Sequence, residues 1–409
     1  MSEIIQPVLL GADLNCYSMA RAFFAACGRP SVVYGQAELG AVRYSRYVRF
    51  YRVEGLGRKE VLLPLLQQRA ATRPQGMKEI LLPCTDEYAR LLIEESERLS
   101  RSYLLPLPPK DALPLFDKDR FYAACERHGV PYPKTITLTH MPTLADVTAA
   151  GEELGFPFII KPARSDSYWQ HPFAGMEKVY LVHNKHAAEC VLSEIFASGY
   201  PQPVLLQRYI PGGDRVGYVL TVYIDRQGKT TLRACGRVLL EERTPRGKGN
   251  YAALVRAAIP PVAEALCRLL ASFSYRGFAN FDLRRDRRDG RFYALEVNLR
   301  LGRSNYFLTA GGQNPAAWIL RDHMGHAPLL PTDMKGLFLF RTVPFSTVWQ
   351  YTAGQEDAAL ARALHQAGRE ACPLYDRGDM LHDVRRALYV AVHMQREKQK
   401  FSHYGIRRR

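Results

Sequence analysis

Two polar side chains interrupt an apolar strand at residues 294–300, which read Ala-Leu-Glu-Val-Asn-Leu-Arg. Because successive side chains of a strand alternate between its faces, Glu296 and Asn298 point the same way. The preceding strand carries Asp282 in the run Asn-Phe-Asp-Leu. Two carboxylates and an amide oxygen form the hard ligand set that suits Mg²⁺ when it holds the phosphates of a nucleotide. These residues predict a magnesium site if the two strands bring them together.

The turn between the strands, Arg288-Asp289-Gly290, decides whether the carboxylates meet. If Gly290 closes a three-residue loop in the left-handed conformation, residue 287 pairs with residue 291 and Asp282 lies directly opposite Glu296. A two-residue Asp-Gly turn would place Asp282 on the other face of the sheet. We expect the three-residue loop. A solvated hairpin without a ligand is the alternative for the pattern taken alone.

Two lysines have positions from which they can neutralise phosphates. Lys118 opens the unit after a proline-rich linker, and Lys161 ends an apolar strand just before a long polar loop. An ammonium at a strand end can reach a phosphate as a point charge. No standard glycine loop offers a substitute, because Tyr223 takes the place of the first glycine before the P-loop-like segment 228–230. Side chains would therefore hold a nucleotide, although a single lysine taken alone is far more often a solvated surface residue.

The composition, with 47% hydrophobic and 23% charged residues, is that of an ordinary globular protein. The length of 409 residues predicts two or three domains. No apolar run approaches the roughly 20 residues that span a bilayer, and the N-terminus lacks a signal-peptide pattern, so we expect a cytoplasmic protein without a transmembrane segment. The eight cysteines have no disulfide or zinc spacing and are expected to be reduced.

The net charge of +16 implies attraction to anions, including nucleotides, acidic metabolites, nucleic acid and membrane surfaces. No basic stripe with interleaved aromatics accompanies the charge, so nucleic acid is not expected as a partner. Part of the excess lies in the tail 407–409, which reads as a frayed end. His323 and His326 are three residues apart, but the neighbouring Gly and Pro favour a loop over a metal site.

Strands that alternate with helices open the chain. Residues 7–11 and 31–34 read as buried strands around a helical period, and a third strand, 79–83, leads into a helix with an acidic first turn. The pattern predicts a parallel sheet with helices on both faces, where ligands lie beyond the carboxyl ends of the strands. The polar residues at these ends are expected to bind substrate: Asp13, Asn15, Asp86 and Glu87.

Proline-rich residues 106–109 form the clearest linker in the chain. We therefore expect an N-terminal α/β domain on the substrate side at 1–114 and a second domain at 115–334. Residues 335–409 are expected to form a mixed strand and helix segment with a basic tail.

Segment 204–214, a strand that runs into a proline-glycine turn, resembles the hinge of the ATP-grasp superfamily. The resemblance implies an α/β (pre-ATP-grasp) domain followed by a two-lobed α+β ATP-grasp domain. It puts the small lobe at about 130–210, the hinge at 205–214 and the large lobe at 215–334. Hinge residues would meet adenine, an acid seven residues on would meet ribose, and lysines would meet the phosphates. The expected ATP contacts are Lys118, Lys161, Lys178, Gln207, Arg208, Tyr209, Ile210 and Asp214.

Most members of the superfamily carry Glu where this chain has Gln207. The resemblance also makes Asp282, Glu296 and Asn298 the ligands of one or two Mg²⁺ ions. Within the superfamily, segments 11–23, 84–88 and 298–306 are most similar to the carboxylate-amine ligases typified by the bacterial D-aspartate ligases. This likeness adds Ser304 and Asn305 to the expected substrate contacts.

The implied reaction forms an amide or peptide bond through an acyl phosphate and releases ADP. Arg300 and Arg303 are the expected catalytic residues, because their paired donors can hold a carboxylate and a developing oxyanion. Water must be excluded from such an intermediate, and loop 163–177, with Tyr168, Trp169 and Phe173, is the expected lid. These aromatics alternatively pack the small lobe.

We thus expect a ligase that joins small-molecule carboxylate and amine substrates, adding an acidic amino acid such as D-aspartate to an acidic cell-wall precursor. Two alternatives stay open. One is another ATP-grasp ligase or a carboxylase of small-molecule metabolism, and the other is a non-catalytic module that binds ATP or an anion. The sequence specifies neither the chirality of the amino acid nor the oligomeric state.

Overall fold

The computed structural model describes residues 4–245, 247, 249–325, 328–354 and 356–405. His326 and the tail 407–409 lie outside these residues. None of the helices in the described ranges combines the length and hydrophobicity that crossing a bilayer requires.

The N-terminal part of the chain alternates strands with helices, as predicted. Its elements are β1 (Ile4–Leu10), α1 (Leu14–Cys27), β2 (Ser31–Gly35), β3 (Val48–Arg52), α2 (Lys59–Ala71), β4 (Met77–Pro83), α3 (Asp86–Glu94) and α4 (Ser96–Leu99). The strands form one parallel sheet in the order β3-β2-β1-β4. Side chains of Asp13 and Thr85 cap α1 and α3 at the carboxyl edge of this sheet. The half-exposed strand β3 was not predicted, because it has no apolar run.

A small antiparallel sheet follows a 3₁₀ helix at Lys110–Phe116. Its elements are α5 (Lys118–Arg127), β5 (Thr135–Leu138), α6 (Leu144–Leu154), β6 (Phe158–Pro162), α7 (Ser165–Tyr168), β7 (Tyr180–Val182), α8 (Lys185–Ala197) and β8 (Val204–Arg208). The strand order is β5-β8-β6-β7, so β6, which ends in Lys161 and Pro162, lies beside β8, which carries Gln207. Helices α6 and α8 supply the apolar side chains that cover this sheet.

The remaining residues build a larger sheet. Its elements are β9 (Gly217–Ile224), β10 (Thr230–Glu241), β11 (Tyr251–Ala257), α9 (Val262–Ser272), β12 (Gly277–Arg285), β13 (Phe292–Asn298), α10 (Tyr306–Ala310), α11 (Pro315–Met324), β14 (Thr332–Asp333), β15 (Leu339–Arg341), α12 (Phe345–Thr352), α13 (Glu356–Gln366), β16 (Glu370–Ala371), α14 (Arg377–Met380) and α15 (Val384–Gly405). The order is β13-β12-β9-β10-β11-β15-β16, with β14 beside β10. A parallel sheet is followed by a small antiparallel sheet and a larger, mostly antiparallel sheet, which confirms the predicted fold class.

The hairpin of β12 and β13 closes differently from the prediction. Arg285 pairs with Phe292, and Asp286 N donates to Arg291 O at 2.9 Å, so the loop consists of residues 287–290 and the predicted three-residue loop is wrong. Gly290 is left-handed, with φ 72°. A β-bulge at Leu295 then shifts the register and sets Asp282 opposite Glu296. The predicted pairing of the carboxylates is confirmed because the bulge compensates for the longer loop.

A buried ion pair fastens the start of α15 to the N-terminal domain. Arg386 Nε lies 2.8 Å from Asp379 Oδ2, and both side chains are fully buried. Arg386 Nη1 donates to the Ala41 carbonyl at 2.8 Å, and the guanidinium lies over the ring of Tyr17, 4.4 Å from its centroid. Asp379 also accepts from the hydroxyl of Ser45 at 2.9 Å. The pair therefore links the last helix to the first sheet domain.

Replacing Arg386 with methionine should destabilise the protein by about 3–5 kcal/mol, because it leaves the Asp379 carboxylate buried without its cation. The midpoint of chemical unfolding measures this loss. The adjacent Arg385 pairs with Asp383 at the surface, so Arg385→Met is the matched control and should leave the midpoint unchanged. Equal midpoints for the two variants would show that the buried pair does not hold α15 in place.

Candidate active site

Two cavities meet at the carboxylates of β12 and β13. One, of ≈ 460 Å³, lies between the small sheet and the large sheet, and we call it the hinge cavity. The other, of ≈ 380 Å³, lies between the large sheet and α3, and we call it the arginine cavity after Arg90, Arg164, Arg300 and Arg303. Both volumes suit a small-molecule ligand. Six residues line both cavities: Lys118, Lys178, Gly249, Tyr251, Asp282 and Glu296.

The structure brings all eight predicted ATP contacts to the hinge cavity. They arrive from separate elements: Lys118 from the start of α5, Lys161 from β6, Lys178 from the loop before β7, and Gln207, Arg208, Tyr209, Ile210 and Asp214 from β8 and the turn after it. A strand end, a helix start and a hinge thus converge on one space. Their contacts with a nucleotide stay a prediction.

The two carboxylates at the shared wall have opposite electrostatic surroundings. Glu296 Oε2 lies 2.8 Å from Lys118 Nζ. Burial opposes ionisation of Glu296, but the ammonium groups of Lys118 and Lys178 hold its pKa well below the usual range. Asp282 accepts a hydrogen bond from the Tyr251 hydroxyl at 2.6 Å. Burial, reinforced by the charge of Glu296, raises the pKa of Asp282 well above its ordinary value. The two neighbouring carboxylates therefore differ in how readily they ionise.

The donor set at this wall fits Mg²⁺. Asn298 donates through Nδ2 to the Asn280 carbonyl at 3.4 Å, which leaves its amide oxygen as the group for a cation. In the described part of the chain, no group of three or more His, Cys, Asp or Glu side chains is arranged to hold a metal. The described residues thus offer Mg²⁺ only two carboxylates and one amide oxygen, from Asp282, Glu296 and Asn298. Phosphate oxygens and water would complete the coordination shell, as is common for this ion.

Lys161 is buried with neutral partners. Its ammonium lies 2.9 Å from both the Tyr122 hydroxyl and Gln207 Oε1. Gln207 is itself buried and donates to the Thr135 hydroxyl at 2.7 Å. Burial, followed by the positive charge of Lys118, lowers the pKa of Lys161 to about 7. Because residue 207 is Gln and not Glu, the side chain that accepts from Lys161 at this position carries no charge.

At about pH 8, binding of MgADP should take up about one proton, because Lys161 is largely neutral in the free protein and becomes charged beside a phosphate. Gln207→Glu places a carboxylate next to the ammonium, raises the pKa of Lys161 and should abolish the uptake. Gln207→Met is the uncharged control and should keep it. Calorimetry in buffers of different ionisation enthalpy measures the proton. Equal uptake by wild type and Gln207→Glu would contradict this role of Lys161.

Asp214 is already engaged by another side chain. It lies at the cavity wall, and its Oδ2 accepts from Arg243 Nη2 at 2.7 Å and from the Glu241 amide at 3.1 Å. A ribose would have to share this carboxylate with Arg243. The ribose contact stays a prediction.

The two predicted catalytic arginines lie in the arginine cavity with acidic partners. Arg300 Nη2 donates to Asp86 Oδ2 at 2.8 Å, and Arg303 Nη1 lies 2.9 Å from Glu242 Oε1. The buried Nε of Arg300 and Oδ1 of Asp86 have no hydrogen-bond partner among the described residues. An incoming polar group would satisfy both atoms. Glu87 and Ser304 line the same cavity.

Three predicted substrate contacts are not brought to either cavity. Asn15 donates through Nδ2 to the Cys84 and Leu301 carbonyls at 2.8 and 3.0 Å, and Asn305 donates to the Asn15 carbonyl at 3.1 Å. These buried amides join the N-terminal domain to the loop after β13. Asp13 caps α1 by accepting from Cys16 N at 3.2 Å. Asn15 and Asn305 therefore join the two parts of the chain beside the cavity, and Asp13 caps a helix.

The predicted lid loop divides between packing and the site. Tyr168 is fully buried in the core of the small lobe, and Phe173 packs against the same cluster. For Tyr168 and Phe173 the structure therefore confirms the alternative prediction, that the aromatic rings pack the small lobe. Trp169 lines the arginine cavity. Closure of the loop over the site stays a prediction.

Sequence reasoning missed two tyrosines that organise the site. Tyr122 on α5 lies beside both Lys161 and Gln207 and donates to the Leu295 carbonyl at 2.7 Å, where the bulge lies. Tyr251 at the start of β11 holds Asp282. Aromatic residues at helical or strand spacing read as core, so no local signal distinguished them. Arg90 and Arg164 were missed as well, and both approach Asp117, at 3.0 and 3.6 Å.

The chain is similar to known ligases. No protein-family model matches the chain. It is 30% identical to D-aspartate ligase of Enterococcus faecium over 386 residues, which cover 92% of each chain. It is also 30% identical to D-alanine–D-alanine ligase of Xylella fastidiosa over 186 residues, which cover 44% of this chain and 56% of that protein.

Solved structures share the fold. N5-carboxyaminoimidazole synthetase from Staphylococcus aureus, solved with ADP, superposes with a TM-score of 0.60 at 15% identity and covers 84% of each chain. The identity to D-aspartate ligase extends over nearly the whole chain. The chain therefore belongs to the ATP-grasp superfamily of ADP-forming carboxylate-amine ligases, which use ATP and Mg²⁺, in the branch that contains D-aspartate ligase.

Proposed function

We propose that this ligase joins an acidic amino acid such as D-aspartate to an acidic cell-wall precursor, with ATP in the hinge cavity and the carboxylate substrate in the arginine cavity. The observation that supports the proposal most is the shared wall of Asp282 and Glu296. A γ-phosphate held at this wall from one side faces a substrate that enters from the other side.

Positive charge on the hinge side suits a triphosphate. Lys118, Lys161 and Lys178 line this cavity, and Lys118 and Lys178 also reach the shared wall. The metal site would be formed by Asp282, Glu296 and Asn298, and a Mg²⁺ ion there would offset the repulsion between the phosphates and the attacking carboxylate. The lysines neutralise the charge that remains as the phosphoryl group moves.

The substrate side suits an anionic carboxylate. The buried Nε of Arg300 has no hydrogen-bond acceptor among the described residues. Arg303 adds a second guanidinium to the lining of the same cavity. A guanidinium binds a carboxylate through paired donors, which fixes its orientation. Asp86 and Glu87 add negative charge that suits the ammonium group of an amino acid. D-aspartate carries both kinds of group, and the name of the relative from Enterococcus faecium supports it.

The proposed reaction has two steps. A carboxylate oxygen of the substrate attacks the γ-phosphorus, the bond to the β-phosphate oxygen breaks, and ADP leaves. The neutral amine of the second substrate then attacks the acyl carbon, phosphate leaves with the carboxylate oxygen, and the amine loses a proton to solvent. Arg300 and Arg303 stabilise the oxyanion of the second step.

Release of ADP across a panel of amino acids, including D- and L-aspartate, tests the substrate class with a nucleotide-linked muropeptide precursor as the second substrate. We expect release that requires both substrates and favours an acidic amino acid. Release with apolar amino acids in preference to aspartate would contradict the proposed substrate.

A further inference from the structure

We propose that the C-terminal helix α15 completes the nucleotide site, with Tyr404 in contact with the bound nucleotide. The inference rests on the proposed position of ATP in the hinge cavity. Tyr404 lines that cavity together with Lys161, Gln207 and Asp214. These residues precede Tyr404 by about half of the chain, and no role was predicted for the segment that carries Tyr404.

The end of α15 is held firmly against the wall of the cavity. Phe401 is buried among apolar side chains of β10 and β11, including Leu240 and Ala253. Its carbonyl accepts from the Tyr351 hydroxyl at 2.6 Å, and the two rings are 5.4 Å apart. Residues three apart on a helix lie on neighbouring parts of one face. The anchored Phe401 therefore fixes the direction of Tyr404, which is 39% exposed.

The segment beneath this helix end is itself part of the site. The loop between strands β10 and β11, together with the residue on each side of it, lines the hinge cavity. The lining residues are Glu241, Glu242, Arg243, Pro245, Gly249 and Tyr251. Glu242 also pairs with Arg303 of the arginine cavity. Phe401 of α15 belongs to the apolar cluster formed by residues of both strands, and Tyr404 lines the cavity together with this loop.

Charges of α15 act on the same loop. Burial raises the pKa of Glu242, and Arg303, Glu397 and Lys400 modify that rise. Glu397 and Lys400 of α15 form an ion pair at 2.7 Å, so their opposite charges largely cancel in their effect on Glu242. At its other end the helix is fixed by Arg386. The helix is thus anchored at both ends, and Tyr404 is the side chain that it presents to the nucleotide.

The test compares MgADP affinity, by calorimetry, with the KM for ATP in Tyr404→Ala and Tyr404→Glu. Loss of the ring should weaken MgADP binding and raise the KM for ATP by about 5–10-fold, with kcat at saturating ATP unchanged. Tyr404→Glu should weaken MgADP binding and raise the KM for ATP further, because the new carboxylate would face the phosphates. Leu388→Ala, in the same helix and 65% exposed, is the control and should match wild type.

Lys161→Met separates failure of this inference from failure of the proposed function. If Lys161→Met weakens MgADP binding while both Tyr404 variants bind like wild type, the helix does not reach the nucleotide and the inference is overturned. If Lys161→Met also binds like wild type, the hinge cavity is not the nucleotide site and both proposals fail. A fall in kcat with unchanged MgADP affinity in the Tyr404 variants would likewise overturn the inference.

Discussion

Replacing Glu296 with glutamine should lower kcat by about 10³-fold while the protein stays folded. Glutamine keeps the size and hydrogen-bonding shape of the side chain but removes the charge that faces Lys118 and, in the proposed reaction, Mg²⁺. The neighbouring Asp282 is engaged by the Tyr251 hydroxyl at 2.6 Å, so we expect that it does not take over the contact with Lys118. Steady-state turnover with saturating substrates measures the loss.

The matched control lies in the same hairpin. Asp289 is in the turn, bonds to Tyr293 at the surface and lines neither the hinge cavity nor the arginine cavity. Asp289→Asn should therefore keep the wild-type kcat. Turnover of Glu296→Gln within a few-fold of wild type would show that the shared wall is not the phosphoryl-transfer site.

Replacing Arg300 with lysine should lower kcat by about 10²-fold and leave MgADP affinity unchanged. Lysine keeps the positive charge but cannot present the planar fork that binds a carboxylate through two donors. Arg300 lines the arginine cavity and not the hinge cavity, so substrate chemistry and nucleotide binding should respond separately. Calorimetry with MgADP and turnover with both substrates give the two readings.

Arg285→Lys is the control for this change, because Arg285 lies on β12 outside both cavities. It should alter neither quantity. If Arg300→Lys weakened MgADP binding as much as it lowered kcat, Arg300 would act on the nucleotide and not on the carboxylate substrate.

The residues of the shared wall could be predicted from the sequence because strand alternation is a local rule. Two polar residues spaced two apart in an apolar strand have to share a face, whatever surrounds them. The loop length was predicted wrongly, since a bulge at Leu295 is not visible in residue types. Asp282 still lies opposite Glu296, as predicted. Burial of the face that carries the carboxylates fixes the strand register, and the bulge restores that register.

The parts that could not be predicted depend on contacts between distant segments. Asn15 and Asn305 are residues of a type that often binds substrate, and they lie at strand or loop ends. In the structure, however, Asn305 donates to the Asn15 carbonyl, 290 positions away in the sequence. Arg386 is buried because it meets Asp379 and the distant Ala41 carbonyl, contacts that its neighbours in the sequence do not indicate. Tyr404 reaches the hinge cavity only because Phe401, one turn earlier, is anchored on β10 and β11. No periodicity encodes such pairings.

The most direct test of the proposed chemistry follows oxygen. With ATP, Mg²⁺, the amine substrate and a carboxylate substrate labelled with ¹⁸O in both oxygens, mass spectrometry of the released phosphate reports whether the carboxylate was phosphorylated. The proposed reaction predicts one ¹⁸O in each phosphate released, and no labelled phosphate above background from the Glu296→Gln variant. Release of ADP with unlabelled phosphate would contradict the acyl-phosphate route and the placement of the two cavities on which it rests.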